Sequence, residues 1–154
     1  MKPKHFILLF LFGTLIVACK KEESLKEYLT GSWQTTYLKI EMPTVNNTDS
    51  LSVYVDKFEN DPEFVAQSTY KEDGTFSAWF INRENKKSNE SVGTWFVKTD
   101  SLFIDYVYNG RNIKVAYKII KTNLGFDAES KYDWDEDTDF DDTLWMKTKR
   151  IKIE

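Results

Sequence analysis

Three aspartates in the C-terminal part of the chain have the spacing of a calcium-binding loop. Asp133, Asp135 and Asp137 occupy alternate positions in the segment KYDWDEDTDFDD, and hard carboxylate oxygens at this spacing can surround a calcium ion. The segment is not an EF-hand, because Thr138 replaces the turn glycine of that motif and Leu144 replaces its bidentate glutamate. The three aspartates are therefore candidate ligands of a looser calcium site.

The same segment also fits a solvated acidic loop. Nine acidic residues and one lysine lie between Asp127 and Asp142, and a run of like charges favours exposure to water. Trp134 and Phe140 interrupt this run, so the loop could also contact a protein or a carbohydrate. The sequence predicts no cofactor, and the calcium site is the weaker of these interpretations.

Residue types exclude most catalytic chemistry. His5 is the only histidine and Cys19 the only cysteine. His5 lies in a segment that we expect to be removed, and Cys19 at its end is expected to be modified. Zinc sites of His and Cys, and Ser–His or Cys–His nucleophiles, are then absent. We predict that the protein is not an enzyme; a pair of carboxylates acting as in a glycosidase is the remaining alternative.

Cys19 lies where an apolar run ends and a charged run begins. Lys2 and Lys4 precede an apolar stretch that is shorter than the roughly 20 residues of a spanning helix and has the layout of a secretory signal. The residues Leu15-Ile16-Val17-Ala18-Cys19 resemble the lipobox of bacterial lipoproteins. This resemblance implies cleavage before Cys19 and attachment of acyl chains such as palmitate, which anchor a protein to a membrane.

The lipobox resemblance also implies a location and a division of the chain. Lys20 is not the aspartate that marks inner-membrane retention, so we expect a lipid-anchored protein of the outer membrane. Residues 20–23 resemble signals for its outer face, or form a plain solvated tether, and the face stays open. We divide the chain into a signal peptide (1–18), a lipidated tether (19–24) and one domain (25–154).

The predicted mature protein is acidic. Of 21 basic residues, Lys2 and Lys4 leave with the signal peptide, so 19 remain against 25 acidic residues, a net charge of −6. An acidic chain argues against a nucleic-acid partner. The predicted partners are the membrane, through the lipid anchor, and a small apolar ligand, while the sequence identifies no protein partner.

The first half of the domain mixes helix and strand signals. Residues 24–29 predict a short helix with Ser24 and Glu27 as a capping box, and residues 31–42 predict the first strand. The insert at 43–66 fits a helix by the spacing of its apolar residues and a strand by its valines. Pro62 predicts the start of a second short helix within it.

The second half alternates short strands with turns. Asp73-Gly74 and Asn109-Gly110 predict hairpin turns, and a polar loop is predicted at 83–90. With the first strand the total is eight, which predicts a mainly β fold, an antiparallel up-and-down barrel. The strands after the insert are predicted at residues 67–72, 75–82, 92–98, 102–108, 112–119, 124–128 and 144–152.

Short motifs on these strands resemble lipocalins. Gly31-x-Trp33 is similar to the glycine–tryptophan signature of that family, and YKEDGTFSAWF and VGTWFVKTDSLFIDY are similar to small lipocalin-like lipoproteins of Gram-negative bacteria. The resemblance implies that Trp33 plugs the closed barrel end and that Arg150 packs across it, with Lys149 or Lys152 as alternates. The long insert and the missing TDY motif depart from the family.

A lipocalin-like barrel implies a cup for one apolar molecule. Two side-chain registers of the fourth predicted segment stay open, with either Phe76, Ala78 and Phe80 or Trp79 and Ile81 facing inward. The alternative function is an interaction or structural module with a filled core that binds an envelope protein or glycan. The candidate ligand-binding residues are Phe76, Phe80, Ile104, Tyr106, Val115, Tyr117 and Met146.

Overall fold

The computed structural model describes residues 23–45, 48, 50–59 and 62–152. The predicted signal peptide, Cys19 and most of the predicted tether lie outside these residues. Among the described residues, no helix is long and apolar enough to cross a membrane. The elements in chain order are α1 (Leu25–Leu29), β1 (Gly31–Met42), β2 (Ser52–Asp56), β3 (Phe64–Tyr70), β4 (Thr75–Asn82), β5 (Lys87–Lys98), β6 (Ser101–Tyr108), β7 (Arg111–Lys121), β8 (Phe126–Tyr132) and β9 (Asp142–Ile151).

Eight strands form a closed antiparallel barrel. From β3 to β9 each strand pairs with the next along the chain, and β1 pairs with both β3 and β9. Closure leaves no free edge between β1 and β9, which removes the usual cost of an unpaired sheet edge. The predicted mainly β, up-and-down barrel is confirmed.

The strand β1 has two different neighbours on one of its sides. Its first half, Gly31–Gln34, pairs with β3, whereas its second half, Leu38–Met42, pairs with β2. On its other side β1 pairs with β9 along nearly its whole length, with a bulge between Thr35 and Tyr37. The barrel wall is thus continuous at one end and divided between β2 and β3 at the other.

The insert after β1 contributes a strand. Its described part contains β2 and no α-helix, and β3 begins at Phe64, so the second short helix predicted at Pro62 is wrong. The free edge of β1 offers backbone hydrogen-bond partners that the local apolar spacing does not reveal. Val53 and Val55, which are β-branched, fit the strand that pairs there.

The predicted polar loop at 83–90 is also wrong in its second half, because β5 begins at Lys87. The side chain of Asn82 accepts hydrogen bonds from the backbone N–H groups of Glu84 and Lys86, at 3.0 and 2.9 Å. These bonds fold the chain into a tight turn, so β5 starts immediately after it. The turn predicted at Asn109-Gly110 is confirmed, with φ values of 49° and 82°.

The helix α1 covers one end of the barrel, which we call the closed end. Ser24 and Glu27 form the predicted capping box. Leu29 is fully buried, and its carbonyl accepts a hydrogen bond of 2.8 Å from the indole N–H of Trp33. The Trp33 ring is 1% exposed and meets the edge of Phe126 at a centroid distance of 4.9 Å.

Arg150 lies over the same indole. Its guanidinium carbon is 4.1 Å from the centre of the Trp33 ring, and its Nη1 donates to the carbonyl of Thr30 at 3.0 Å. A Cβ at Gly31 would lie 2.7 Å from this Nη1, and Gly31 has a φ of 130°. Glycine is therefore required where the arginine crosses the chain. Arg150 and the alternates Lys149 and Lys152 are all exposed; of these three, Arg150 has its cation over the Trp33 ring.

We predict that Trp33→Ala lowers the free energy of unfolding by about 3–5 kcal/mol, because it removes a large buried aromatic ring. Urea unfolding followed by circular dichroism measures the change. Trp145→Ala is the matched control, because Trp145 faces outward from β9 and is only partly buried. A loss below about 1 kcal/mol at Trp33 would contradict the role of this residue as the plug.

Candidate functional site

The barrel interior is packed at the closed end and hollow toward the other end, which we call the open end. An inner hollow of about 240 Å³ lies deeper in the barrel, and an upper hollow of about 360 Å³ lies nearer the open end. The two hollows share walls that include Ala78, Phe80, Tyr106 and Tyr117. They therefore form one candidate ligand-binding region between the core and the mouth.

Six of the seven predicted ligand-binding residues line this region. Phe80, Tyr106 and Tyr117 line both hollows, whereas Val115 is buried in the core cluster and lines neither. Leu38 and Ala66, which line both hollows, were not predicted. Of the predicted residues, three line the inner hollow but not the upper one: Phe76, Ile104 and Met146.

The structure decides between the two registers of β4. Ala78 pairs with Ser68 and Phe80 with Ala66, and all four residues line the inner hollow. Trp79, between them, is 3% exposed, lies outside the main core cluster and lines only the upper hollow, whereas Ile81 lines neither hollow. The indole N–H of Trp79 donates to Gln67 at 3.1 Å, and Lys87 Nζ lies 3.7 Å from the centre of that ring.

Tyrosines supply much of the polarity of the walls. Burial raises the pKa of Tyr70 and Tyr117, and raises the pKa of Tyr106 to about 12. Nearby tyrosines raise these pKa values further. All three phenols are neutral near pH 7, so they add hydrogen-bonding groups to the region without adding charge.

Charged residues appear at the open end. Arg111 lines the upper hollow and pairs with Glu136 at 2.7 Å. Its Nη2 donates to the carbonyl oxygen of Asp133 at 3.2 Å. Trp134, on the same loop, also lines the upper hollow and packs on Tyr132 with ring centres 4.9 Å apart. The loop between β8 and β9 therefore forms part of the rim.

The insert forms another part of the rim. A hollow of about 540 Å³ lies between the insert and the adjoining ends of β4 and β5. It shares Tyr54, Asp56, Phe58 and Phe80 with the inner hollow. Within the described part of the insert, these shared residues connect this hollow with the barrel interior.

The acidic loop groups a different set of aspartates from the one that the sequence predicted. Asp133 and Asp135 place carboxylate oxygens within 4.8 Å of each other and of Asp142, whereas Asp137 is not in this group. Asp133, Asp137 and Asp142 are buried, so the prediction of a solvated loop is wrong for them. Hydrogen bonds to the backbone stabilise this buried arrangement. The carboxylate of Asp142, for example, accepts a hydrogen bond of 2.6 Å from the backbone N–H of Trp134.

The environment of Asp142 acts on its pKa in both directions. Burial raises the pKa of this carboxyl, and the nearby charges of Asp135 and Asp141 raise it further. The backbone N–H groups of Trp134 and Asp135 donate to its Oδ2 and lower the pKa. Burial has the largest effect, so the pKa lies above its ordinary value.

The sequence pattern did not place Asp142 in the carboxylate cluster, and it assigned Trp134 to a protein or carbohydrate contact rather than to the cavity wall. Asp142 begins β9, nine residues after Asp133 in the chain, and only the pairing of β8 with β9 brings the two together. Trp134 was noted as unusual in an acidic loop, but its place in a cavity wall depends on tertiary structure. The alternation of Leu38 and Ile40 with Lys39 and Glu41 in β1 could have identified Leu38. The β3 segment FVAQSTY has no such alternation at Ala66.

Comparisons with known proteins add no relative. No protein-family model matches the sequence, and no curated protein matches it significantly. The lipocalin resemblance thus stays a prediction from short motifs, while the barrel itself is an observed feature.

We predict that stability falls as pH rises between about 10 and 12. Near pH 11 an unfolded tyrosine, with the ordinary pKa of 10.0, has lost its proton, whereas Tyr106, with a pKa of about 12, keeps it in the folded state. Each such group lowers the free energy of unfolding by about 1.4 kcal/mol per pH unit in this window. Tyr106→Phe should make the fall shallower by that amount in urea unfolding, and an unchanged slope would contradict the raised pKa.

Proposed function

We propose that this protein is a lipid-anchored envelope protein whose barrel binds a small apolar ligand. The observation that carries the proposal is the hollow interior, with Phe76, Phe80, Ile104 and Met146 in its walls. Ligand sites are typically concave and mostly apolar, with a few polar groups that orient the ligand. The alternative of an interaction module needs a filled core, and the hollow region argues against it.

The size and polarity of the region favour a particular kind of ligand. The upper hollow, at about 360 Å³, lies near the lower end of the range of about 300–1,000 Å³ for ligand sites. Apolar residues dominate the inner hollow, whereas Asn89 and Arg111 lie toward the mouth. Arg111 is already paired with Glu136. We therefore favour a compact apolar molecule with an uncharged polar end over a fatty acid with a free carboxylate.

The chemistry of the walls favours binding over catalysis. Tyr70, Tyr106 and Tyr117 are held neutral by burial. The carboxylates that line the region are divided between its hollows, with Asp56 in the inner one and Glu136 in the upper one. A glycosidase needs two carboxylates that face each other across the reacting bond. The absence of enzymatic activity remains our prediction.

We predict that the neutral fluorophore N-phenyl-1-naphthylamine binds in the barrel and that Ala78→Trp weakens this binding at least about tenfold. Ala78 lines both hollows, so an indole at this position fills the space that the fluorophore needs. A tenfold loss corresponds to about 1.4 kcal/mol. Fluorescence titration measures the affinity, and native mass spectrometry shows whether a ligand is already bound.

Ser77→Trp is the matched control for this experiment. Ser77 neighbours Ala78 on β4 but belongs to the opposite face of the strand, so the same indole is added outside the barrel. Equal binding by the wild type and both variants would place the fluorophore on the outer surface. The absence of fluorophore binding and of any extractable ligand would reject the proposed function.

The proposed anchor rests on the lipobox-like residues that end at Cys19. We predict that Cys19→Ser abolishes incorporation of radiolabelled palmitate and moves the protein from the membrane fraction to the soluble fraction, because stable anchoring needs two or more acyl chains. Ser24→Ala, in the helix cap, is a control that leaves the cysteine intact. Unchanged labelling and partitioning of Cys19→Ser would reject the anchor while leaving the ligand proposal untouched.

A further inference from the structure

Three carboxylates at the rim of the barrel are close enough to bind one metal ion. Asp133 and Asp135 lie in the loop after β8, and Asp142 begins β9. One oxygen of each lies within 4.8 Å of the others. Two oxygens on opposite sides of a calcium ion lie up to about 5 Å apart, given calcium–oxygen distances of about 2.3–2.6 Å. The spacing of this cluster therefore fits a single shared ion.

Two carboxylate oxygens of these residues are buried without partners. Within the described ranges, Asp133 Oδ1 and Asp135 Oδ2 have no hydrogen-bond partner. Asp133 is 6% exposed. Its Oδ2 lies 3.5 Å from Arg111 Nη2, which leaves Oδ1 for the cluster. A buried carboxylate oxygen without a donor or a cation is costly, so these two atoms point to a missing positive partner.

The protein cations near the cluster do not balance its charge. Among the ion pairs of the described residues, Asp133, Asp135 and Asp142 share only the 3.5 Å contact of Asp133 with Arg111. The shorter ion pair of Arg111, at 2.7 Å, is with Glu136. Asp142 is 1% exposed and accepts two backbone N–H bonds through one oxygen, Oδ2. The positive charge of Arg111 is therefore divided between Glu136 and this cluster of three carboxylates.

We propose that Asp133, Asp135 and Asp142 bind a calcium ion at the rim of the barrel. Oxygen-only ligands select a hard cation, and three protein carboxylates in an irregular loop suit the flexible coordination of calcium. Magnesium demands a tighter octahedron and usually keeps several waters with one or two carboxylates. The ion supplies the charge that Asp133 Oδ1 and Asp135 Oδ2 lack, and backbone carbonyls or water complete its coordination shell.

The first test is calcium binding by the purified protein after removal of metal with a chelator. We expect one calcium ion per chain in isothermal titration calorimetry, with an affinity in the range of about 10⁻⁴–10⁻³ M that extracellular modules show. Calcium at 100 times its Kd should raise the folded-to-unfolded ratio about 100-fold and raise the Tm. Sodium chloride at equal ionic strength and magnesium are the controls. No heat and no Tm shift, or equal shifts with magnesium, would overturn the proposal.

Isosteric variants test which residues bind the ion. Asp133→Asn and Asp142→Asn each remove one carboxylate charge from the cluster and should weaken calcium binding at least tenfold. Asp139→Asn is the matched control, because Asp139 is an exposed aspartate of the same loop outside the cluster. Asp137→Asn distinguishes this cluster from the ligand set Asp133, Asp135 and Asp137 that the sequence spacing predicts. Because Asp137 is outside the cluster, this variant should retain calcium binding. Retained binding in Asp142→Asn would overturn the proposed ligand set.

Terbium luminescence tests the position of the ion without changing any of the three proposed ligands. Terbium coordinates oxygen as calcium does and is excited by energy transfer from a nearby indole. Trp134 lies between Asp133 and Asp135 in the chain, so excitation of tryptophan should give terbium emission. Excess calcium should lower this emission by displacing terbium from the site. Trp134→Phe should remove most of this emission. Emission that is absent from the wild type, or unchanged in Trp134→Phe, would place any bound ion elsewhere and overturn the proposal.

Discussion

Hydrogen bonding between β1 and β9 closes the sheet, and the interior exists because of this closure. The two strands pair from Ser32 with Ile151 to Glu41 with Thr143. The last residues of β9 thereby bring Arg150 onto the first residues of β1, where its guanidinium covers Trp33. The glycine at position 31 leaves room for that guanidinium. The β1–β9 pairing, the Trp33 plug and Gly31 thus depend on one another at the closed end.

Toward the opposite end, β1 extends beyond the part of it that pairs with β3. Only Gly31–Gln34 pairs with β3, and β2 covers the rest of that edge. Closed barrels pair all their strand edges; here β2 pairs with the remaining edge of β1 and is itself an edge strand. Between β2 and β3, Tyr54 and Phe58 of the insert line the barrel interior. The segment that pairs with the edge of β1 therefore also contributes to the wall of the cavity.

Local patterns predicted much of this architecture, and long-range pairing explains the rest. The alternation in β6 and β7 and the Asn109-Gly110 turn depend on neighbouring residues, so the sequence was sufficient for them. The insert was harder, because β2 forms on an edge supplied by residues Leu38–Met42. The sequence did not determine which face of β4 points into the barrel, because both faces carry apolar residues such as Phe80 and Trp79. Of the rim cluster, Asp133 and Asp135 were predicted, whereas Asp142 required the β8–β9 register.

The cavity and the carboxylate cluster are joined through the loop between β8 and β9. Trp134 stands between two of the clustered aspartates and lines the upper hollow, while Arg111 contacts Asp133 and lines the same hollow. Neutralising the cluster would remove the repulsion between its carboxylates and fix the backbone on both sides of Trp134. A ligand that contacts this indole would then bind a rim already held in place. Because such coupling is reciprocal, any ligand that favours the ordered rim must also favour the ion.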